Sequence, residues 1–428
     1  MTYHNAAKRI LSAPIGSDRL ASQRQTLLLR YLNCSHRGVS FVTVLGESGK
    51  SASATMLSHA VKESGYRTGL LSTPFSHTIR ECINVDGEPI SIEDFTACVS
   101  AVCEAESAIR ADIASLPPRT EDELTELTDL QKSLYAYQAT NREFRLFSDE
   151  ILLASALQYF ADTKCQIVIL EIPNGTRADA YHLPYTPLVS VITATASSDA
   201  AKKICSRLMP KTVEIVSSPQ PPEILRQISD RCATINCRLT VPLKNQFYLS
   251  DVAANRLDLF YKSNRYTLNS GAHYQAENLL TVLETLTVLK RSGLRVDPET
   301  AAYQPSFGAV GLPLQFTFLS LSPTVITDFA DTPTRRVALA ESLTYHKDVF
   351  GENVTLIAPC SDEDDHTVAA PFLQKGLPIT TVVRTTPPQA LRTMKPIAKA
   401  LSPSDTLIIL GDRPFVYELH RALIGLLP

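Results

Sequence analysis

Short runs rich in Val, Ile and Leu recur along this 428-residue chain, with stretches of helical length between them. "FVTVL" (41–45), "TGLLST" (68–73), "QIVILEI" (166–172), "LVSVIT" (188–193) and "TVEIVS" (212–217) are continuous apolar runs rather than alternating ones. A strand with both faces covered reads this way, which is the condition inside a parallel sheet flanked by helices. Helical patterns fill 50–64, 91–112, 148–162 and 220–232. Strand–helix–strand alternation of this kind predicts a doubly wound α/β fold.

The rest of the chain fits around that frame. The polar stretch 113–146 reads as an exposed helical excursion. Residues 236–270 read as short strands and turns, and 276–293 as a long helix ended by Gly293. A Pro/Gly-bearing connector, "VDPETAAYQPSFGAVGLP" (296–313), has the character of a linker. Beyond it the alternation restarts, with strands expected at 324–330, 354–360, 379–385 and 406–412, and helices at 333–349, 387–401 and 414–426. The expected organisation is therefore a first domain over 1–295, a linker over 296–313 and a small Rossmann-like α/β domain over 314–428.

Composition narrows the function classes. A net charge of −3 gives no ground for a nucleic-acid or anionic-membrane partner. No run reaches 18 apolar residues, and "MTYHNAAKRILSAPIG" has no signal-like core. The nine cysteines are scattered; "CVSAVC" (98–103) and "CATINC" (232–237) lack the spacing of a zinc knuckle. Reduced, mostly buried thiols in a cytoplasmic protein are the expectation. The acidic run "SDEDDH" (361–366) reads as a solvated loop rather than a metal cluster.

"VLGESGKSASATML" (44–57) is the stretch with chemistry in it. Gly46 and Gly49 let backbone N–H groups converge, Lys50 adds charge, and a helix follows at once. That is the make-up of a phosphate-binding loop, here shorter between its glycines than the common P-loop. Glu47 counts against it, since a carboxylate repels phosphate. On this stretch alone, an ordinary Gly-rich turn between strand and helix is an equal alternative.

An ordered series of segments decides between them. The loop, "GYRTGLLSTP" (65–74), "INVDGEPISIEDF" (83–95), "EILLASALQYFAD" (150–162), "IVILEIPNGTRADA" (167–180), "PLVSVITA" (187–194), "SSPQPPE" (217–223), "GAHYQAEN" (271–278) and "TVITDFADTP" (324–333) together resemble the folylpolyglutamate synthase/dihydrofolate synthase family of the Mur ligase superfamily. The resemblance implies a P-loop Mur-ligase-type ATPase domain followed by the Rossmann-like domain. It implies ATP and Mg²⁺ as cofactors, with a folate or pterin and glutamate as further ligands. It also implies a reaction in which a folate carboxylate takes the γ-phosphoryl group and the glutamate amine then displaces phosphate. Carried over residue by residue, it places Gly46, Ser48, Gly49, Lys50 and Ser51 on the phosphates and Ser51, Thr73 and Glu171 near Mg²⁺. Gln275 and Asn278 match a helix start facing adenine, and Asp328 an aspartate near the ribose. Lys203 falls close to a modified lysine of the family but one register off, so a solvated helix lysine is the alternative.

The departures are as informative. Ala52 stands where the family has a hydroxyl, although Ser51 sits where ordinary P-loops keep theirs. Phe75 and Asp331 replace histidines, Cys82 replaces an arginine, and Leu314 and Gln315 occupy a motif whose arginine is missing. The segment 194–210 lacks the histidine of a second metal site. Two readings stay open at this level: a ligase with altered activity or acceptor, and an inactive relative that binds a nucleotide, a pterin or a protein partner. A plain P-loop hydrolase fits less well, because no residue here stands as a catalytic base.

Overall fold

The structure, a computed structural model, describes residues 1–15, 18–34, 38–73, 75, 77–173, 186–195, 197–208, 212–298, 314–351 and 353–424. Two helices, α1 (Tyr3–Leu11) and α2 (Ala21–Tyr31), precede β1 (Ser40–Leu45). α3 (Lys50–Glu63) and β2 (Thr68–Leu71) follow, then the short strands β3 (Ile83–Val85) and β4 (Glu88–Pro89). The helices α4 (Ile92–Ser115), α5 (Glu121–Thr125), α6 (Asp129–Gln138) and α7 (Ser148–Asp162) lead to β5 (Ile167–Glu171) and β6 (Val189–Ile192). α8 (Ser198–Ser206), β7 (Glu214–Ser217), α9 (Pro222–Thr234) and β8 (Arg238–Thr240) complete an eight-stranded sheet in the order β4-β3-β2-β5-β1-β6-β7-β8. All of its pairings are parallel except those of β3 with β2 and β4.

The continuous apolar runs have the expected cause. In β1, Phe41 and Leu45 belong to the core on the side of α4 and α7, while Val42 and Val44 belong to the core on the side of α3. Both faces of the strand are thus buried, and its one buried polar side chain, Thr43, is satisfied by the Ser190 hydroxyl at 2.8 Å. On the α3 side lie β9 (Phe247–Ala253), β10 (Arg256–Tyr261) and β11 (Asn264–Leu268), an antiparallel three-stranded sheet, and the long helix α10 (His273–Arg291).

A separate five-stranded sheet is built from β12 (Thr317–Leu321), β13 (Thr324–Asp328), β14 (Val354–Pro359), β15 (Ile379–Thr385) and β16 (Thr406–Leu410), in the order β12-β13-β16-β14-β15. Only β12 runs antiparallel to its neighbour. Helices α11 (Pro333–Leu343), α12 (Asp365–Gln374), α13 (Ala390–Ala400) and α14 (Arg413–Leu423) cover it. Among the described residues no strand pairs across the two large sheets, and each has its own core. Most of the connector 296–313 lies outside the described residues.

Two expectations need correction. The excursion 113–146 is not simply exposed: Leu134 and Tyr137, three apart on α6, enter the core with Phe144 and Leu146. A short apolar stripe is enough to dock a polar helix. The helix expected over 333–349 ends at Leu343 and continues as 3₁₀ turns, with His346 outside helical backbone angles (φ −123°). The acidic run is the exposed loop expected, and its end caps α12: Asp364 accepts from the Thr367 N–H at 2.6 Å and Asp365 pairs with Arg384 at 2.8 Å. The nine cysteines are free thiols, five of them buried. Among the described residues no helix is long and apolar enough to cross a membrane.

Candidate active site

The loop between β1 and α3 is tight because two glycines make it so. Gly46 has φ +135°, and a Cβ there would lie 2.1 Å from Thr193 Oγ1. Gly49, the residue before α3, has φ +82°, and a Cβ there would lie 2.2 Å from Asn278 Oδ1. Both the backbone angle and the space therefore require glycine. The Glu47 and Ser48 N–H groups donate to the Ala194 carbonyl at 3.1 Å each, tying the loop to the end of β6. The ladder of α3 starts with the Ser53 N–H on the Gly49 carbonyl (2.9 Å), so the amides of residues 50–52 precede it.

Ser48, Gly49, Lys50, Ser51 and Ala52 line one cavity of about 260 Å³. Thr73 and Glu171 complete its wall on the side of the large sheet. The opposite wall is Tyr274, Gln315, Asp328, Asp331 and Arg335, closed by Asp412 and Arg413 at the start of α14. The cleft thus lies between the two large sheets, at the carboxyl ends of β1, β5 and β13, where open α/β sheets place ligands.

Its electrostatics are set by burial. Lys50 is only 5% exposed, and its ammonium donates to the Gly46 carbonyl at 2.9 Å. Burial lowers its pKa to about 8, against the attraction of Glu171 and with Arg335 and Arg207 adding to the fall. Glu171 is buried at the end of β5 and accepts from the Ser51 hydroxyl at 3.0 Å, the Ser72 hydroxyl at 2.5 Å and the Thr73 N–H at 3.3 Å. Burial pushes Asp328 up to about 7, although the Tyr274 hydroxyl and the Phe316 N–H (3.0 Å) both donate to it. Burial also lowers the pKa of Arg413, whose guanidinium stacks over the Phe329 ring at 5.5 Å.

The structure brings Ser48, Gly49, Lys50, Ser51, Thr73, Glu171 and Asp328 together around the cavity; Gly46 shapes the loop from behind. It does not bring three other residues there. Lys203 is exposed on α8, away from the cavity lining. Gln275 and Asn278 are buried at the start of α10, joined by a 3.0 Å hydrogen bond, and Asn278 packs beneath Gly49 instead of lining the cleft. Sequence reasoning missed Ser72, Tyr274, Arg335 and Arg413. A hydroxyl one residue from Thr73 was a visible signal for Ser72; the other three reach the cavity only through packing of the two sheets. Among the described residues no cluster of three or more His, Cys, Asp and Glu forms a ready-made metal site. Ser51, Thr73 and Glu171 do present hard oxygens on one wall, which suits a Mg²⁺ ion that keeps waters and phosphate oxygens as its other ligands.

No family model matches the chain. A "probable bifunctional folylpolyglutamate synthase/dihydropteroate synthase" of Haloferax volcanii is 28% identical over 193 residues, 45% of this chain but only 19% of that protein. The folylpolyglutamate synthase of Lacticaseibacillus casei is 21% identical over 392 residues, covering 86% of this chain and 82% of its own. Among solved structures, a complex of folylpolyglutamate synthase (FPGS) with AMPPCP and folate superposes with a TM-score of 0.76 at 19% identity, over 99% of this chain and all of that one. The superposition speaks to fold; the curated relatives, the ordered motifs and the loop speak to ancestry. On these grounds the chain is similar to folylpolyglutamate and dihydrofolate synthases over most of its length and shares the fold of folylpolyglutamate synthase.

Proposed function

We propose that the protein is an ATP-dependent amide ligase that joins glutamate to a folate-type carboxylate through an acyl phosphate. One observation carries the reading. Lys50, Ser51, Thr73 and Glu171 from one sheet and Asp328 from the other meet in a single cleft of a family fold. Supporting it from outside, the relatives are named as folylpolyglutamate or dihydrofolate synthases, and the AMPPCP–folate complex shares the fold.

The chain's own groups define the mechanism. Gly46 and Gly49 keep side chains out of the loop, so the start of α3 receives the nucleotide phosphates on backbone amides and helix dipole. Lys50 neutralises phosphate charge, and a neighbouring anion raises its pKa and keeps it protonated. Ser51, Thr73 and Glu171 would hold a Mg²⁺ ion, which when bound would supply withdrawal of charge from the phosphates. Asp328 accepts from a sugar hydroxyl once ionised. The acceptor carboxylate attacks the γ-phosphorus, the bond to the β-phosphate oxygen breaks and ADP leaves; the neutral glutamate amine then attacks the acyl carbon, phosphate leaves with one of the carboxylate's oxygens, and the new amide nitrogen loses a proton. The cleft orients these partners and excludes water that would hydrolyse the acyl phosphate.

The missing hydroxyl at Ala52 and the replaced cations at Cys82 and Gln315 carry a consequence for rate. One lost transition-state donor costs about 10²–10³ in turnover, and such losses do not simply add. We therefore expect glutamate addition to dihydropteroate or reduced folate to run at least about 100-fold slower than in an ordinary family member. The test measures phosphate release with each component omitted in turn. Release that needs ATP, Mg²⁺, the pterin and glutamate together supports the ligase. Nucleotide binding without any pterin- or glutamate-dependent release favours the inactive binding module.

A further inference from the structure

Arg335 belongs to α11 on the small sheet, yet it reaches the loop of the large one. Its guanidinium donates to the Glu47 carbonyl at 3.4 Å and to the Phe329 carbonyl at 3.5 Å, and pairs with Asp331 at 2.7 Å. It lines the same cavity as Ser48–Ala52, with Arg413 on the neighbouring wall. The geometry points to Arg335 as a phosphate-binding cation delivered across the cleft, with Asp331 as the residue that positions it.

Three observations carry this. First, the two carbonyl contacts are at the long limit of hydrogen bonding, so a phosphate oxygen would replace them at little loss. Second, the Asp331 pair is i,i+4 on the chain and one-third exposed, which aims the fork while leaving it free to slide toward an anion. Third, Lys50, Arg335 and Arg413 face one cavity, and their mutual repulsion is relieved by an added anion. A planar guanidinium is suited to bridge two oxygens of a phosphate chain, which an ammonium does as a point charge only.

The inference rests on the ligase reading only in requiring that the nucleotide phosphates enter this cleft. Calorimetry of the intact chain with ATP, ADP and adenosine, each with Mg²⁺, tests it. Arg335→Ala is expected to weaken ATP and ADP by about 10–100-fold, the range of a lost charge-assisted contact. Adenosine should change by less than about 3-fold. Arg335→Lys should recover part of the loss, and Asp331→Asn should weaken ATP less than Arg335→Ala does. Thermal melts of the variants within a few degrees of the parent exclude misfolding as the cause. Equal loss for ATP and adenosine, or no loss for either, would overturn the assignment while leaving the ligase reading intact. A parent chain that binds no ATP overturns both.

Discussion

At the scale of single residues, the cleft is a set of ionisable groups held away from their ordinary charge behaviour. Lys50 has a pKa lowered to about 8 by burial. Phosphate beside it favours the charged form, so ATP binding near pH 8.5 should take up protons from solution. Calorimetry in buffers of different ionisation enthalpy measures that uptake, and Lys50→Arg should abolish it, since arginine stays protonated. Asp328 has the opposite displacement, raised by burial to about 7. A carboxyl that holds its proton more tightly folded than unfolded contributes stability that is fully present below its ordinary pKa of about 4 and is lost as pH climbs through about 7. The unliganded protein should therefore lose stability between about pH 4 and 7, and Asp328→Asn should flatten that slope while weakening ATP. A slope unchanged in Asp328→Asn, read from denaturant midpoints across the range, would assign it to other groups.

At the scale of elements, the site depends on what lies under the loop as much as on the loop itself. Asn278 on α10 presses against Gly49, and Thr193 at the end of β6 presses against Gly46. Gly46→Ala should cost at least about 2 kcal/mol, since it adds a left-handed-side backbone penalty to a clash with Thr193. Gly49→Ala should be partly rescued by Asn278→Ala, because the obstructing atom belongs to a side chain; a double-mutant cycle with no coupling would place the strain elsewhere. These relations also show which parts of the fold the sequence discloses. The β1 run, its glycines and Lys50 were legible from local rules, burial on both faces and a tight turn into a helix, whereas Glu171 at the end of β5 was reached only through the resemblance. α6 was misread because the polar composition of 113–146 outweighed a stripe of Leu130, Leu134 and Tyr137 at helical spacing inside a helix of only ten residues. Gln275 and Asn278 were matched to a nucleotide-facing helix start by likeness of pattern; Asn278 packs against Gly49 and is hydrogen-bonded to Gln275, a detail that spacing along one helix does not contain.

At the scale of the whole molecule, the cleft exists only because two separately cored sheets face each other. Arg335, Arg413 and Asp328 come from the small sheet, and Lys50, Thr73 and Glu171 from the large one. No one-dimensional signal connects α11 to residue 47, 288 positions away in the chain, so the cation that crosses the cleft was invisible until the chain was folded. Arg335 and Arg413 are cations of the cleft that the motifs do not name. This bears on the choice between a slow ligase and an inactive relative. It also makes the path of oxygen the sharpest test, because a P-loop hydrolase and an amide ligase release the same phosphate by different routes. The measurement is single-product mass analysis of phosphate released from ATP in the presence of Mg²⁺, glutamate and a reduced folate whose acceptor carboxylate carries ¹⁸O. Acyl-phosphate chemistry predicts one ¹⁸O atom in each released phosphate, together with a folate lengthened by one glutamate. Phosphate without label from the carboxylate, its new oxygen drawn from water, would contradict the ligase account.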